Sequence, residues 1–192
     1  MPVLQNDTFY CDHLGATERD RQDILKFSIR DERGKGLVDY LQHSAFPDEE
    51  EGLMRTYLVR ENQTSELVGY FSLKAGLVSF NESKTETGTA FDTLPAIELA
   101  NFALNNEYIR KAPNLKGIGL IVFSDFIRPL IQNIARHVGV KAIYIFALPY
   151  EGLIQRYTQY GFARLEAVHE AGVHKRLKPR YDNECIFMYQ ML

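Results

Sequence analysis

Cysteine is scarce and poorly placed for chemistry, with only Cys11 and Cys185, far apart and outside any C-x-x-C spacing. Such a pair argues against a disulfide-stapled scaffold and fits free thiols in a reducing compartment. Positive charge is not in excess either: 22 Lys and Arg against 25 Asp and Glu give a net charge of −3. No global field then draws the chain to nucleic acid or an anionic membrane, and a nucleic-acid partner is expected to be unlikely. No apolar run approaches about 18 residues, so neither a spanning helix nor a membrane partner is expected. The opening M-P-V-L-Q-N-D-T lacks the charged and apolar regions of a secretory leader, and a cytoplasmic location is expected. His169, His174 and Cys185 do not have the spacing of metal ligands; solvated loop histidines are the simpler account, and no metal is expected. Repeats and low-complexity segments are also lacking.

What is present suits a core. The chain has 192 residues, 45% hydrophobic and 12% aromatic, enough for one domain over 1–192. Its organising stretch runs from Asn114 to Val138, a glycine turn that opens into an amphipathic helix. Ile127, Leu130, Ile131, Ile134 and Val138 recur at the spacing of one buried face, and Gly139 is placed to stop the helix. A strand-like run, Ala96 to Leu104, precedes the turn, and Lys141 to Ala147 follows the helix. First-turn N–H groups have no intrahelical partner and sit at the positive end of the dipole, so this corner predicts an anion site. Gly117 and Gly119 would let a phosphate approach the backbone, which points to a phosphorylated cofactor at 115–121.

The remaining chain reads as alternating elements. Thr8–Cys11 suggests a first strand, Thr17 and Asp20 a helix start, and Leu37–Phe46 a second short helix. P-D-E-E-E-G at 47–52 reads as a solvated loop, and 53–60 as a strand. From Leu67 to Phe80 the pattern is strand-like, with Leu67, Gly69, Phe71, Leu73, Ala75 and Leu77 sharing a face. The polar run 81–89 predicts an exposed loop. Leu153–Tyr160 reads as a helix ended by Gly161, Phe162–Val168 as a strand, 169–180 as a basic loop, and 185–192 as a last strand. Phe123, Phe126 and Phe146 are expected in the core, and Pro129 should kink the long helix. The sum is an α/β (α+β) chain: a mixed sheet of six to seven strands with helices on both faces.

Two motifs carry a resemblance. Asn114-Leu115-Lys116-Gly117-Ile118-Gly119 matches at both glycines the Gln/Arg-x-x-Gly-x-Gly/Ala turn of the GNAT superfamily of acetyl-CoA-dependent N-acetyltransferases. Some forty residues on, Tyr157, Gly161 and Phe162 match its Tyr-x-x-x-Gly-Phe motif. The resemblance covers about residues 54–190. It implies a GNAT-like (acyl-CoA N-acyltransferase) fold with a mostly antiparallel sheet. It also implies acetyl-CoA as co-substrate and direct acetyl transfer to an amine through a ternary complex. Cofactor contacts would come from Asn114, Leu115, Lys116, Gly117, Ile118, Gly119 and Leu120 at the phosphates. Leu99, Asn101, Phe102 and Ala103 would lie along the pantetheine, and Tyr150 stands where many members carry an Asn.

The resemblance further implies Tyr157 as proton donor to the departing thiolate and Glu98 as the base. A lysine-type amine of pKa near 10.4 is neutral only about once in 2,500 molecules at pH 7, a deficit of about 4 to 5 kcal/mol that a base must help overcome. The acceptor is expected to be an amine on a small molecule or peptide. A catalytically idle CoA-binding module, or transfer to a macromolecule such as aminoacyl-tRNA or a protein, are the alternatives; the cluster Lys175, Arg176, Lys178 and Arg180 motivates the latter. Monomer and homodimer both remain open.

Overall fold

The structure, a computed structural model, describes residues 2–85, 88–177 and 184–192, and side chains outside 80–91. Eight strands form: β1 (Leu4–Gln5), β2 (Phe9–His13), β3 (Arg55–Glu61), β4 (Leu67–Thr85), β5 (Gly88–Leu104), β6 (Ala142–Ala147), β7 (Ala163–Arg164) and β8 (Ile186–Met191). Their hydrogen-bonded order is β1-β2-β3-β4-β5-β6-β8-β7. Of the registers described, β5·β6 is parallel and the others are antiparallel. The expected mixed, mostly antiparallel sheet is borne out, with eight strands in place of six or seven.

Two compact units divide the chain: residues 1–74 with 99–130, and residues 75–98 with 131–192. In the first, α1 (Asp20–Leu25), α2 (Lys35–Asp39), a π-helical turn (Tyr40–Ser44) and α3 (Ala45–Glu50) lead into β3. Their apolar residues Ile24, Phe27, Tyr40 and Leu41 pack with Leu58 of β3, Tyr70 of β4 and Ala103 of β5. Burial of both faces of 67–73, Gly69 included, follows from cover on two sides. Leu67, Val68, Tyr70, Phe71, Ser72 and Leu73 are all buried. The alternation expected there therefore does not separate core from solvent. Leu77, which periodicity puts on one face with Leu67, Phe71 and Leu73, is 48% exposed. The acidic run at 48–50 is helical rather than a loop. Pro47 of α3 follows directly on the π-helical turn Tyr40–Ser44, whose wider spacing relieves the crowding a proline ring imposes on the carbonyl four residues earlier.

A buried charge cluster fastens α1 to this unit. Arg60 of β3 donates from Nη2 to Asp20 (2.9 Å) and from Nη1 to Asp23 (2.7 Å) and the Ser65 carbonyl (2.9 Å). Asp20 also accepts the Gly15 amide at 2.9 Å and the Thr17 hydroxyl at 2.6 Å.

In the second unit, Val78, Ala96, Ala142, Tyr144, Val173 and Phe187 form the core. The polar run expected to loop carries strand at both ends, β4 reaching Thr85 and β5 starting at Gly88. The segment after Arg164 is α8 (Ala167–Arg176), not strand followed by loop. Val173 turns into the core, while the Glu170 carboxylate accepts the Phe187 amide (3.1 Å) and Arg164 (3.0 Å).

The long helix spans Ile118–Ala135 and is long and apolar enough, by composition, to cross a membrane; the expectation that no such run exists is corrected. Its buried side, Ile118, Val122, Phe123, Phe126, Ile127, Leu130 and Ile131, is that of a core helix, and Arg128 lies exposed opposite. It ends before Val138, which is 61% exposed, and before Gly139, which does not adopt positive φ. Pro129 is absorbed by a π-helical turn, Phe123–Ile127, in which the Arg128 amide reaches back five residues to the Phe123 carbonyl. The wider turn relieves the crowding a proline ring imposes on the carbonyl four residues earlier.

Replacing Arg60 by Ala takes the guanidinium from the buried Asp20 and leaves Asp23 to the exposed Arg19, and should cost about 3–5 kcal/mol. Urea unfolding checks this; a loss under about 1 kcal/mol would show that the cluster does not hold the unit together.

Candidate functional site

In the first unit β5 is followed by α4 (Asn106–Lys111), an element the sequence reading missed. Asn105 caps it, accepting the Glu107 amide at 3.3 Å while donating to the Leu67 carbonyl at 2.9 Å. The chain then turns through 112–117. Here the Leu115 amide donates to the Ala112 carbonyl at 3.1 Å, so it belongs to the turn itself. Gly117 closes the turn in the left-handed region, φ +74°, ψ +17°. A Cβ placed on it would meet nothing within 4 Å, so the space above this backbone is open.

The long helix starts at this glycine, in α5 (Ile118–Val122), which continues through the π turn into α6 (Arg128–Ala135). Its first intrahelical bond runs from the Ile121 amide to the Gly117 carbonyl, 3.1 Å. The amides of Gly117, Ile118, Gly119 and Leu120 precede that bond, and no side chain caps them. Ile118 is buried and anchors the turn, whereas Asn114, Lys116 and Leu120 are exposed. An anion could be held by four convergent amides at the positive end of an 18-residue helix.

Leu99, Asn101 and Ala103 are buried and Phe102 is half-buried. Asn101 donates from Nδ2 to the Met54 sulfur at 3.9 Å, so its amide serves the interior. The parallel ladder to β6 pairs Ala96, Ile97 and Glu98 with Ala142, Ile143 and Tyr144 and ends there, although β5 runs on to Leu104. Residues 99–104 lie past the end of that ladder.

In the second unit Glu98 is the last residue of β5 paired with β6, half-buried, and accepts a hydrogen bond from the Tyr144 hydroxyl at 3.1 Å. Tyr144 is a residue the sequence reading missed. Burial first, then the Glu98 carboxylate, hold its phenol well above the ordinary range, so it stays a donor. Tyr157 lies on α7 (Glu151–Gln159), which Gly161 closes at φ +93°. It is buried, with ring centroids 5.9 Å from Tyr160 and 5.7 Å from Phe162. Burial, then Tyr160 and Tyr150, raise its pKa, which makes it a weaker acid than a free phenol. Tyr150 is the N-cap of α7, its carbonyl accepting the Leu153 amide at 3.0 Å. The basic segment is helical as far as Arg176; His174 packs edge-on to Phe146 at 5.6 Å and is no loop histidine. Lys178 and Arg180 lie outside the described residues. Among the described residues no group of three His, Cys, Asp or Glu could hold a metal.

No family model matches the chain. Solved structures do. A tyrosine-to-phenylalanine mutant of KacT is similar at 14% identity and TM-score 0.68, over 96% of this chain and 95% of that one. AtaTR bound with AcCoA is similar at 16% identity and TM-score 0.63, over 97% and 94%. AtaT complexed with acetyl-methionyl-tRNAfMet is similar at 14% identity and TM-score 0.65, over 95% and 94%.

The last of these overturns the expectation that nucleic acid is an unlikely partner, because a protein of this fold is seen with tRNA. The physical error was to read partners from net charge. Fields are screened within about 10 Å in salt, so local charge decides.

Because the space above Gly117 is open, Gly117→Ala should cost only the left-handed backbone penalty, about 1–2 kcal/mol. Gly117→Asn should recover part of it. Thermal unfolding of the three proteins checks the order; an alanine variant as stable as the parent would show that the turn is not held at positive φ. Sheet, crossover helix and glycine turn together are those of the GNAT fold, and that is the fold of this chain.

Proposed function

We propose that this chain is an N-acetyltransferase that moves the acetyl group of acetyl-CoA directly onto the α-amine of a macromolecule, of the aminoacyl-tRNA class. The observation that carries the reading is the open, uncapped set of amides at Gly117–Leu120, set on a fold shared with a protein seen with AcCoA. In this reading those amides take the pyrophosphate, with Asn114, Leu115 and Lys116 shaping the turn before them. Backbone groups of Leu99–Ala103 take the pantetheine amides, and Tyr150 borders the acyl end. The acetyl group supplies an electrophilic carbonyl to the amine.

The choice of acceptor rests on two supports. AtaT, of the same fold, is seen with acetyl-methionyl-tRNAfMet. The second is energetic. An α-amine of pKa about 7.7–8.0 is neutral in roughly one molecule in six to eleven at pH 7, which costs about 1 kcal/mol against 4 to 5 for a lysine-type amine. Glu98, the candidate base, already receives a hydrogen bond from Tyr144, and such an acceptor asks least of it. Tyr157 acts at the departing sulfur. With its pKa raised, full proton transfer to a thiol of pKa about 8.5 is more uphill than for a free phenol, so its part is to donate a hydrogen bond to the developing thiolate.

The test is to incubate the protein with acetyl-labelled CoA and either charged or uncharged tRNA, and follow the label. Label should enter charged tRNA only and leave with the aminoacyl group on mild alkali. Label in lysine side chains or free small amines alone would overturn the acceptor, and no transfer at all would overturn the enzyme. Tyr157→Phe should lower kcat about 10²-fold with KM for acetyl-CoA little changed; equal turnover would remove Tyr157 from the reaction.

A further inference from the structure

One buried constellation of the second unit links the proposed base to two residues that no motif identifies. Tyr144 rises from β6, and its phenol reaches over the intervening β5 to the backbone of β4. A Cβ built on Gly76 would stand 2.5 Å from the Tyr144 hydroxyl oxygen, 2.7 Å from Cε1 and 2.9 Å from Cζ. Real Cβ contacts do not come so close, so the ring occupies space that only glycine leaves. On its other side Tyr144 stacks on Phe187, centroids 5.5 Å apart and planes at 29°, and meets Phe146 edge-on at 6.1 Å. The phenol is 1% exposed. Held between a glycine backbone and an aromatic ring, it has little rotational freedom, and its hydroxyl meets Glu98 Oε2 at 3.1 Å.

Strand register makes the pairing definite. Glu98 and Tyr144 are partners in the last step of the parallel ladder, the point beyond which β5 enters the stretch assigned to pantetheine. A phenol that only satisfied itself in a core could donate to any buried carbonyl. This one is directed to the carboxylate at the ladder's end, and β4 gives up a side chain at Gly76 to let it arrive.

We propose that Tyr144, seated on Gly76, is a positioning residue for the acetyl transfer, fixing the Glu98 carboxylate in the orientation in which it receives the proton of the acceptor amine. This rests on the function proposed above. The proton leaves the amine nitrogen as its bond to the acetyl carbon forms, and it comes to Glu98 directly or through water. The sulfur departs with the electron pair of the broken thioester bond, and Tyr144 keeps its own proton throughout.

The experiment compares the full-length protein with Tyr144→Phe, Glu98→Gln and the double variant. Phenylalanine keeps the ring and removes one oxygen; melting curves establish that each variant is folded, and Gly76→Ala, which displaces the ring from the other side, stands in should Tyr144→Phe unfold. Tyr144→Phe should lower kcat about 10-fold with KM for acetyl-CoA unchanged, and should move the acid limb of the kcat/KM profile to higher pH, since an ionised carboxylate loses a donor. The double variant should be no slower than Glu98→Gln, because the two residues act as one unit. A second readout needs no turnover: the carbon-13 titration of the Glu98 carboxyl should move to higher pH in Tyr144→Phe. An unmoved titration, or losses that multiply in the double variant, overturns the proposal. An active parent with those results leaves the acetyltransferase reading standing, whereas an inactive parent whose Glu98 titration does move overturns that reading and Tyr144's catalytic role with it, while the contact itself stands.

Discussion

Two neighbouring strands that run the same way cannot be joined by a tight turn, and β5 and β6 are such a pair. Everything between Leu104 and Ala142 answers that constraint. The chain has to travel back, and an 18-residue helix is what carries it. A helix returning from a strand end must begin near that end, so its uncapped amides and the C-terminal half of β5 come from one stretch of chain. Gly117 makes the start possible, because the chain enters the helix through a left-handed residue with nothing above it. The uncapped helix start is thus a by-product of the one parallel step among the registers described. The shortness of the ladder matters as much. It ends at Glu98 and Tyr144, and the strands' further residues are left for other work.

The two units handle buried polarity in different ways, and the contrast separates scaffold from chemistry. Asp20 in the first is saturated: two amides, a hydroxyl and a guanidinium all donate to it. A carboxylate so enclosed is fixed in charge and position, and it serves to pin α1. In the second unit the Tyr144 hydroxyl donates to the Glu98 carboxylate at the end of a ladder, a neutral-to-charged hydrogen bond. Glu98 itself is half-buried, and a rigid donor orients its carboxylate.

The strand–turn–helix–strand order was legible because each signal was local. Gly117 and Gly161 sit at positive φ as their places in the two motifs suggest, and the strand at 142–147 and the helix at 151–159 fall where apolar spacing puts them. The misreadings have one cause, that pairing and packing override composition. Residues 81–85 and 88–89 are strand although polar, since a strand continues as long as its neighbour does. Pro47 reads as a break, but the π-helical turn before it lets the helix continue. Residues 167–176 carry charges and histidines, yet Val173 meets the core and Glu170 bonds inward, which is enough to hold a helix. Tyr144 was illegible for a stricter reason: its role depends on register with Glu98 and on the missing side chain of Gly76, and neither leaves a mark in one dimension.

The charge argument failed at a different level. A net charge of −3 is a property of the chain, whereas a phosphate backbone feels charges within about a Debye length, roughly 8 Å at physiological salt. Between Arg164 and Arg180 the sequence holds five Lys and Arg against two Glu, so the remaining chain carries the acidic excess. One of those two acids, Glu170, is turned inward onto the Phe187 amide and Arg164, and Lys175 on the same helix is exposed. Folding therefore sorts charge by direction: acids that bond inward cease to repel an approaching polyanion, while outward cations continue to attract it. A near-neutral total is compatible with a locally basic surface for that reason, and it is the surface that a polyanion meets.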